Sequence, residues 1–339
     1  MSEIRLHNVT KRFGDIVAVN DVSIDVNEGE FVVLLGPSGA GKTTTLRLIA
    51  GLERPDDGEI FIDGEAATDM HPADRDVAFI FQQYSLYPHL TVFGNLAFPL
   101  RSPRRRSSEA EVSARVRSVA QMLHIESKLA NMATHLSGGE MQRVAIGRAL
   151  VREPKVFLMD EPLSSLDAKL REELRIELKR LHRSIGATII YVTHDQVEAT
   201  TLADRIGILE HGRIVQMGTP REVYGNPASL SAAQRLGSPP INLLPPALFD
   251  PAAMPAGTST VAIRPEDIVL HGADARDALN LRVLEYSPLR HLLILDREGT
   301  AIVATTMTER NFTPGQTVGV SLPPRSLLYF RSDGRRIPA

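Results

Sequence analysis

Gly36, Pro37, Ser38, Gly39, Ala40, Gly41, Lys42 and Thr43 carry the spacing G-x-x-x-x-G-K-[ST], and Thr44 follows them. These types suit phosphate binding. Glycines let backbone N–H groups close around a phosphate that a side chain would keep away, and a helix starting near Gly41 aims its positive end at the same anion. Lys42 is then placed to reach β- and γ-phosphates, and Thr43 to offer a hydroxyl to Mg2+. Asp160 and Glu161 are a second candidate pair: one carboxylate to hold the metal, its neighbour to polarise an attacking water. The same pair at a strand end also reads as a helix cap. His194 ends another apolar run, either to meet a γ-phosphate or simply to pack. Ser137, Gly138, Gly139 and Glu140 make an S-x-x-E capping box with two glycines, which is a helix start and equally a second anion contact.

The elements that must hold these residues are legible as short apolar runs. Residues 31–35 run into Gly36, 156–159 into Asp160, and 188–192 into Thr193 and His194. Branched, non-alternating runs of this length predict strands covered on both faces, as in a parallel α/β sheet. Ligands collect beyond the carboxyl ends of such strands. Helices are expected over 42–50, closed by Gly51, and over 166–183. Seven of the 22 prolines fall between Pro239 and Pro265, a stretch that reads as a linker and a domain entry. Short β-type runs follow at 261–263, 281–286, 292–295, 301–304, 318–322 and 327–330. They predict a small β-barrel or sandwich.

Composition narrows the classes. The chain has 339 residues, 43% hydrophobic and 23% charged, enough for a sizeable core and about two domains. A net charge of -3 argues against charge-driven nucleic-acid binding. With no cysteine there is no disulfide, thiolate metal site or cysteine nucleophile. The first residues include an acid and no apolar stretch, so no secretory signal is expected, and no run approaches the roughly 18 to 20 apolar residues of a membrane span. A membrane role is expected to come through a partner.

In order and spacing, the phosphate loop, Gln82, the 136–140 segment, Asp160-Glu161, Ser164-Ser165-Leu166-Asp167 and His194 together resemble the ATP-binding subunit of an ABC transporter. The resemblance implies an α/β P-loop ABC ATPase domain over 1–236 with a helical subdomain at about 85–155. A small all-β, oligonucleotide-binding-like barrel over 237–339 would regulate it. It implies a homodimer with two ATP molecules between the chains, each bound by the phosphate loop of one chain and residues 137–139 of the other. Phe13 would stack on adenine, and Gln82 would approach metal and water. Ser137, Gly138 and Gly139 would face the partner's γ-phosphate, and Asp167 would cross the interface. Glu161 would be the general base, and His194 would sense the γ-phosphate. Glu140 stands where the family usually has Gln, and Ser165 where it often has Asn.

Residues 216–224, 237–245, 263–267 and 83–90 are similar to those of the carbohydrate-importer branch. That implies import of a sugar, polyol or glycerol phosphate, with two transmembrane permease subunits, an external solute-binding protein and a peripheral place on the cytoplasmic side of the inner membrane. Residues 84–99 would hold the permease's coupling helix, and the basic run 101–106 reads as an exposed loop. Three rivals stay open. The Arg264-Pro265-Glu266 motif also occurs in importers of inorganic ions and polyamines. A non-transport ABC ATPase usually has two cassettes or long coiled coils, and a regulator whose barrel is the principal element remains the third.

Overall fold

The computed structural model describes residues 3–102, 107–272, 279–297, 299–306 and 311–338. Most of the basic run, residues 103–106, lies outside them. The chain divides into two compact units, Met1–Pro220 and Arg221–Ala339.

The first unit is built on two sheets. An antiparallel one has the order β2-β1-β4-β5, with β1 at Ile4–Phe13, β2 at Ile16–Val26, β4 at Asp57–Ile62 and β5 at Glu65–Ala66. The other has the order β10-β9-β3-β8-β7-β6. Its members are β3 (Phe31–Leu35), β6 (Val77–Ile80), β7 (Val156–Asp160), β8 (Thr188–Thr193), β9 (Arg205–Glu210) and β10 (Arg213–Gly218). All its pairings are parallel except the β9–β10 hairpin. Every residue of β3, β7 and β8 is buried, which explains why these strands do not alternate in sequence.

Helix α1 (Lys42–Ala50) begins directly at the loop after β3. Its Leu46, Leu48 and Ile49 share one core with Val32 and Leu34 of β3, Leu158 of β7, Ile190 of β8 and Ile4, Leu6 and Ile60 of the antiparallel sheet. The loop is therefore clamped between a buried strand and a buried helix. Three more helices, α2 (Val92–Ala97), α3 (Glu109–Met122) and α4 (Gly138–Leu150), pack on one another, and α4 also packs on β6. Helix α5 spans Ala168–Ile185, two residues later than the expected 166–183, because the Asp167 carboxylate caps it by accepting from Leu170 N at 3.0 Å. Its buried Leu174, Leu178, Leu181 and His182 follow the helical repeat on one face. Helix α6 (Gln196–Leu202) follows β8.

The second unit is antiparallel throughout. One sheet has the order β11-β12-β18-β19, with β11 at Asn242–Leu244, β12 at Thr260–Ile263, β18 at Leu328–Phe330 and β19 at Arg336–Ile337. The other has the order β13-β17-β14-β15-β16. It comprises β13 (Val269–His271), β14 (Leu279–Ser287), β15 (Leu292–Arg297), β16 (Thr300–Thr305) and β17 (Thr317–Ser321). Leu244, Val261 and Ile263 of the first sheet and Val283, Leu293, Leu295 and Val320 of the second fill one core, a small barrel-like body.

The proline-rich stretch is more than a linker: β11 lies in it, anchored where the Asn242 side chain exchanges hydrogen bonds with the Val303 backbone at 2.7 and 2.8 Å. Residues 221–236 also belong to this unit. The buried Arg264 guanidinium donates to the carbonyls of Tyr224, Ala233 and Leu236, and it stacks 3.9 Å from the centroid of the Tyr224 ring.

Candidate functional site

Strands β3, β7 and β8 are neighbours in the order β3-β8-β7, and each ends in one of the polar groups marked out by the sequence. Backbone geometry shapes the turn after β3. Gly41 sits at φ +99°, and a Cβ there would fall 2.2 Å from the Ala18 carbonyl oxygen, so a side chain at this position is excluded. Gly36, Ser38, Gly39 and Ala40 complete the turn, with Ala40 N donating to Pro37 O at 3.2 Å.

Lys42 is 5% exposed, and its ammonium curls into the loop, donating to Gly36 O at 2.9 Å and Pro37 O at 3.0 Å. It also lies 3.4 Å from Glu161 Oε1. The other carboxylate oxygen of Glu161 is 3.0 Å from His194 Nδ1. Glu161 therefore bridges the phosphate-loop cation and the imidazole that follows β8. Its backbone adopts φ 44°, a left-handed conformation unusual for a side chain larger than Asn, and its N–H is held by Val192 O at 3.1 Å. That kink turns the side chain out of the strand direction and toward Lys42.

Thr43 Oγ1 donates to Asp160 Oδ1 at 2.8 Å. Asp160 is 7% exposed, and burial pushes its carboxyl above the ordinary value against the opposing pull of the Thr43 hydroxyl. Both groups are hard oxygen donors. Among the described residues no cluster of three or more His, Asp or Glu is set up to hold a metal. This donor set fits Mg2+, which keeps most of its waters and uses one or two protein oxygens together with substrate phosphates.

Gln82 joins the group at its edge, its amide donating to Ser164 Oγ at 3.4 Å while that hydroxyl donates to Glu161 O at 2.9 Å. Phe13, at the end of β1, is 45% exposed, with Lys11 Nζ 5.3 Å from its ring centroid. An aromatic face left open in this way is suited to stacking.

Residues 137–139 form a separate group. Ser137 caps α4, its hydroxyl accepting from Glu140 N at 3.4 Å, while the Glu140 carboxylate accepts from Ser137 N at 2.8 Å. Gly139 lies against α5, where a Cβ would come 2.7 Å from Leu170 Cδ2, and Gly138 faces Leu166 and Tyr84. Asp167 is spent locally as the cap of α5. The hydrogen bonds of this group stay within α4, α5 and their flanking loops and do not lead to Lys42 or Glu161.

Two features escaped the sequence reading. Arg171 donates to the carbonyls of Leu163, Ser164 and Leu166 at 3.2, 3.3 and 2.8 Å and lies 3.6 Å from Asp195, tying the loop after Glu161 to the loop after His194. Behind His194, the buried Glu198 accepts from Tyr191 Oη at 2.8 Å and Thr193 Oγ1 at 2.7 Å, and burial raises its carboxyl above the usual range. An arginine early in a helix and a glutamate in α6 have the sequence signature of ordinary surface charges, so only the fold reveals them.

Comparison with known proteins gives consistent matches. Residues 19–164 match the ABC transporter family model, and residues 261–330 match the TOBE domain. A trehalose/maltose import ATP-binding protein of Thermococcus litoralis is 49% identical, covering 80% of this chain and 74% of its own. An sn-glycerol-3-phosphate import ATP-binding protein of Agrobacterium fabrum is 43% identical, covering 97% and 93%. Among solved structures, a dimeric post-hydrolysis state of the ATP-binding cassette MJ0796 bound to ADP and Pi is 37% identical. It covers 64% of this chain and 99% of that one at a TM-score of 0.58. Among the described residues no helix is long and apolar enough to cross a membrane.

Proposed function

The chain belongs to the ABC transporter family, and from that premise we propose that it is the ATP-hydrolysing subunit of an importer for a sugar, polyol or glycerol phosphate. The observation that carries this reading is the convergence of Lys42, Glu161, His194 and the Thr43–Asp160 pair at the ends of three adjacent buried strands. The names of the relatives favour import, and among imported solutes they favour sugars and glycerol 3-phosphate over ions and polyamines.

In this reading, the loop amides of residues 36–43 hold the β-phosphate, and Thr44 extends the contact at the start of α1. Lys42 exchanges its carbonyl partners for β- and γ-phosphate oxygens. Thr43, Asp160 and Gln82 are the groups that would hold Mg2+, whose charge neutralises the phosphates when bound. Glu161 takes a proton from the attacking water while His194, bonded to the other carboxylate oxygen, orients it and reaches the γ-phosphate. Phe13 stacks on the adenine ring. A second copy of the chain supplies Ser137, Gly138, Gly139 and Asp167. Nucleotide drives closure because it binds the closed pair of chains in preference to the open pair.

The partners are a second copy of this chain, two permease subunits that meet residues 84–99, and an external solute-binding protein that acts through the permease. The site of action is the cytoplasmic face of the inner membrane. Reconstitution with the co-purified permease in liposomes tests the substrate class. ATPase activity is expected to rise with a sugar, polyol or glycerol phosphate delivered by the binding protein, and stimulation only by a polyamine or inorganic ion would overturn it.

A further inference from the structure

Glu140 raises a problem of charge. It is the third residue of α4, immediately after the two glycines assigned above to a partner's phosphate, and an acid there ought to repel the anion. The geometry shows how that charge is held. Glu140 Oε2 accepts from Ser137 N at 2.8 Å, and Oε1 lies 3.0 Å from Lys128 Nζ, so both oxygens are turned back toward the segment before the helix. The Ser137 backbone N–H, and after it the Lys128 ammonium, hold the Glu140 carboxyl below its usual range. The box uses the N–H groups of Ser137 and Glu140. It does not use those of Gly138 and Gly139, the first two residues of the helix, where a backbone N–H has no acceptor within the helix.

We propose that Lys128 is the counter-charge that makes an acid tolerable at this helix start, and so a positioning residue for nucleotide-driven closure: it neutralises Glu140, holds the capping box in register and keeps the local field favourable to an incoming phosphate. The inference rests on the reading of residues 137–139 as a phosphate contact. Lys128 stands in a short turn, Glu126–Lys128, ahead of the helix, far enough in sequence that no motif links it to Glu140.

The test is Lys128→Met in the full-length chain, alone and combined with Glu140→Gln, with ATPase rate followed against MgATP concentration. Lys128→Met is expected to raise half-saturating MgATP about threefold to tenfold at low salt with kcat within about twofold. The penalty shrinks when ionic strength rises from about 0.05 M to about 0.5 M, because the exposed carboxylate is then screened. Adding Glu140→Gln returns the MgATP dependence to that of Glu140→Gln alone, since an amide keeps the cap without the charge.

An unchanged MgATP dependence in Lys128→Met would overturn the proposal. So would a penalty that survives Glu140→Gln or is indifferent to salt, because Lys128 would then act through packing. Gly138→Asp separates this failure from that of the underlying reading, with melting temperature as the control for folding. A folded Gly138→Asp chain with normal MgATP dependence removes the phosphate contact itself, whereas a defective one beside a silent Lys128→Met removes only the role of Lys128.

Discussion

At the carboxyl ends of β3, β7 and β8, polar groups meet inside one chain: Lys42 is buried among carbonyls and 3.4 Å from Glu161, which in turn meets His194. At the start of α4, Ser137 and Glu140 bond to one another in a capping box and reach none of those groups. Both place glycines at a helix start, in the loop before α1 for the first and in the opening residues of α4 for the second. The first is held between β3 and α1 and closed by its own lysine; in the second, Gly139 packs against α5 and the acid is neutralised from the side by Lys128. The proposed function divides the labour accordingly, giving the chemistry to the first region and a partner's nucleotide to the second.

Substitutions at the two regions are expected to behave differently. Lys42→Ala has the largest effect: it leaves the phosphate charge uncompensated and Glu161 without its cation, so MgATP heats in calorimetry should vanish. Normal binding in that variant would dissolve the distinction between the regions. Glu161→Gln keeps an oxygen for His194 but removes the base, and steady hydrolysis should fall about 10²- to 10⁴-fold while MgATP binding persists and ATP-bound dimers accumulate on size exclusion. Retained hydrolysis would move the base elsewhere.

Ser137→Ala acts on the second region. Loss of the cap should cost about 1 kcal/mol in chemical denaturation and raise half-saturating MgATP, leaving nucleotide binding to the isolated phosphate loop intact. The smallest effect lies away from both regions. His182 is buried against the Phe31 ring with Nε2 3.0 Å from Gly29 O, and burial lowers its pKa below the ordinary value. A lowered histidine contributes stability above its unfolded pKa that is lost as pH falls through the folded value. Between about pH 7.5 and pH 5.5, His182→Gln should therefore lose about 1 to 2 °C less in melting temperature than the parent, without a change in MgATP dependence.

The strands that lead into Gly36, Asp160 and His194 were legible because full burial erases alternation and leaves short branched runs that stop at a polar residue. Glycine spacing and the lysine after it made the phosphate loop readable. What stayed hidden depends on three-dimensional closure. The left-handed turn at Glu161 has no residue-type signal, since glutamate rarely adopts it. Arg171 and Glu198 look like surface charges until the loops they tie come together. Prolines between 239 and 265 read as a linker and a domain entry without marking a strand, yet β11 pairs with β12 inside the stretch, because an edge strand with few backbone donors to satisfy tolerates neighbouring prolines. Burial of Arg264 beneath Tyr224 and the Leu230–Arg235 helix likewise assigned residues 221–236 to the second unit, which composition alone did not suggest.

ATP turnover per chain, followed by dilution through the range where light scattering reports the change from paired to single chains, tests the central claim most directly. Turnover should fall in proportion to the paired fraction and approach zero when only single chains remain. Constant turnover from single chains at full dilution would contradict it.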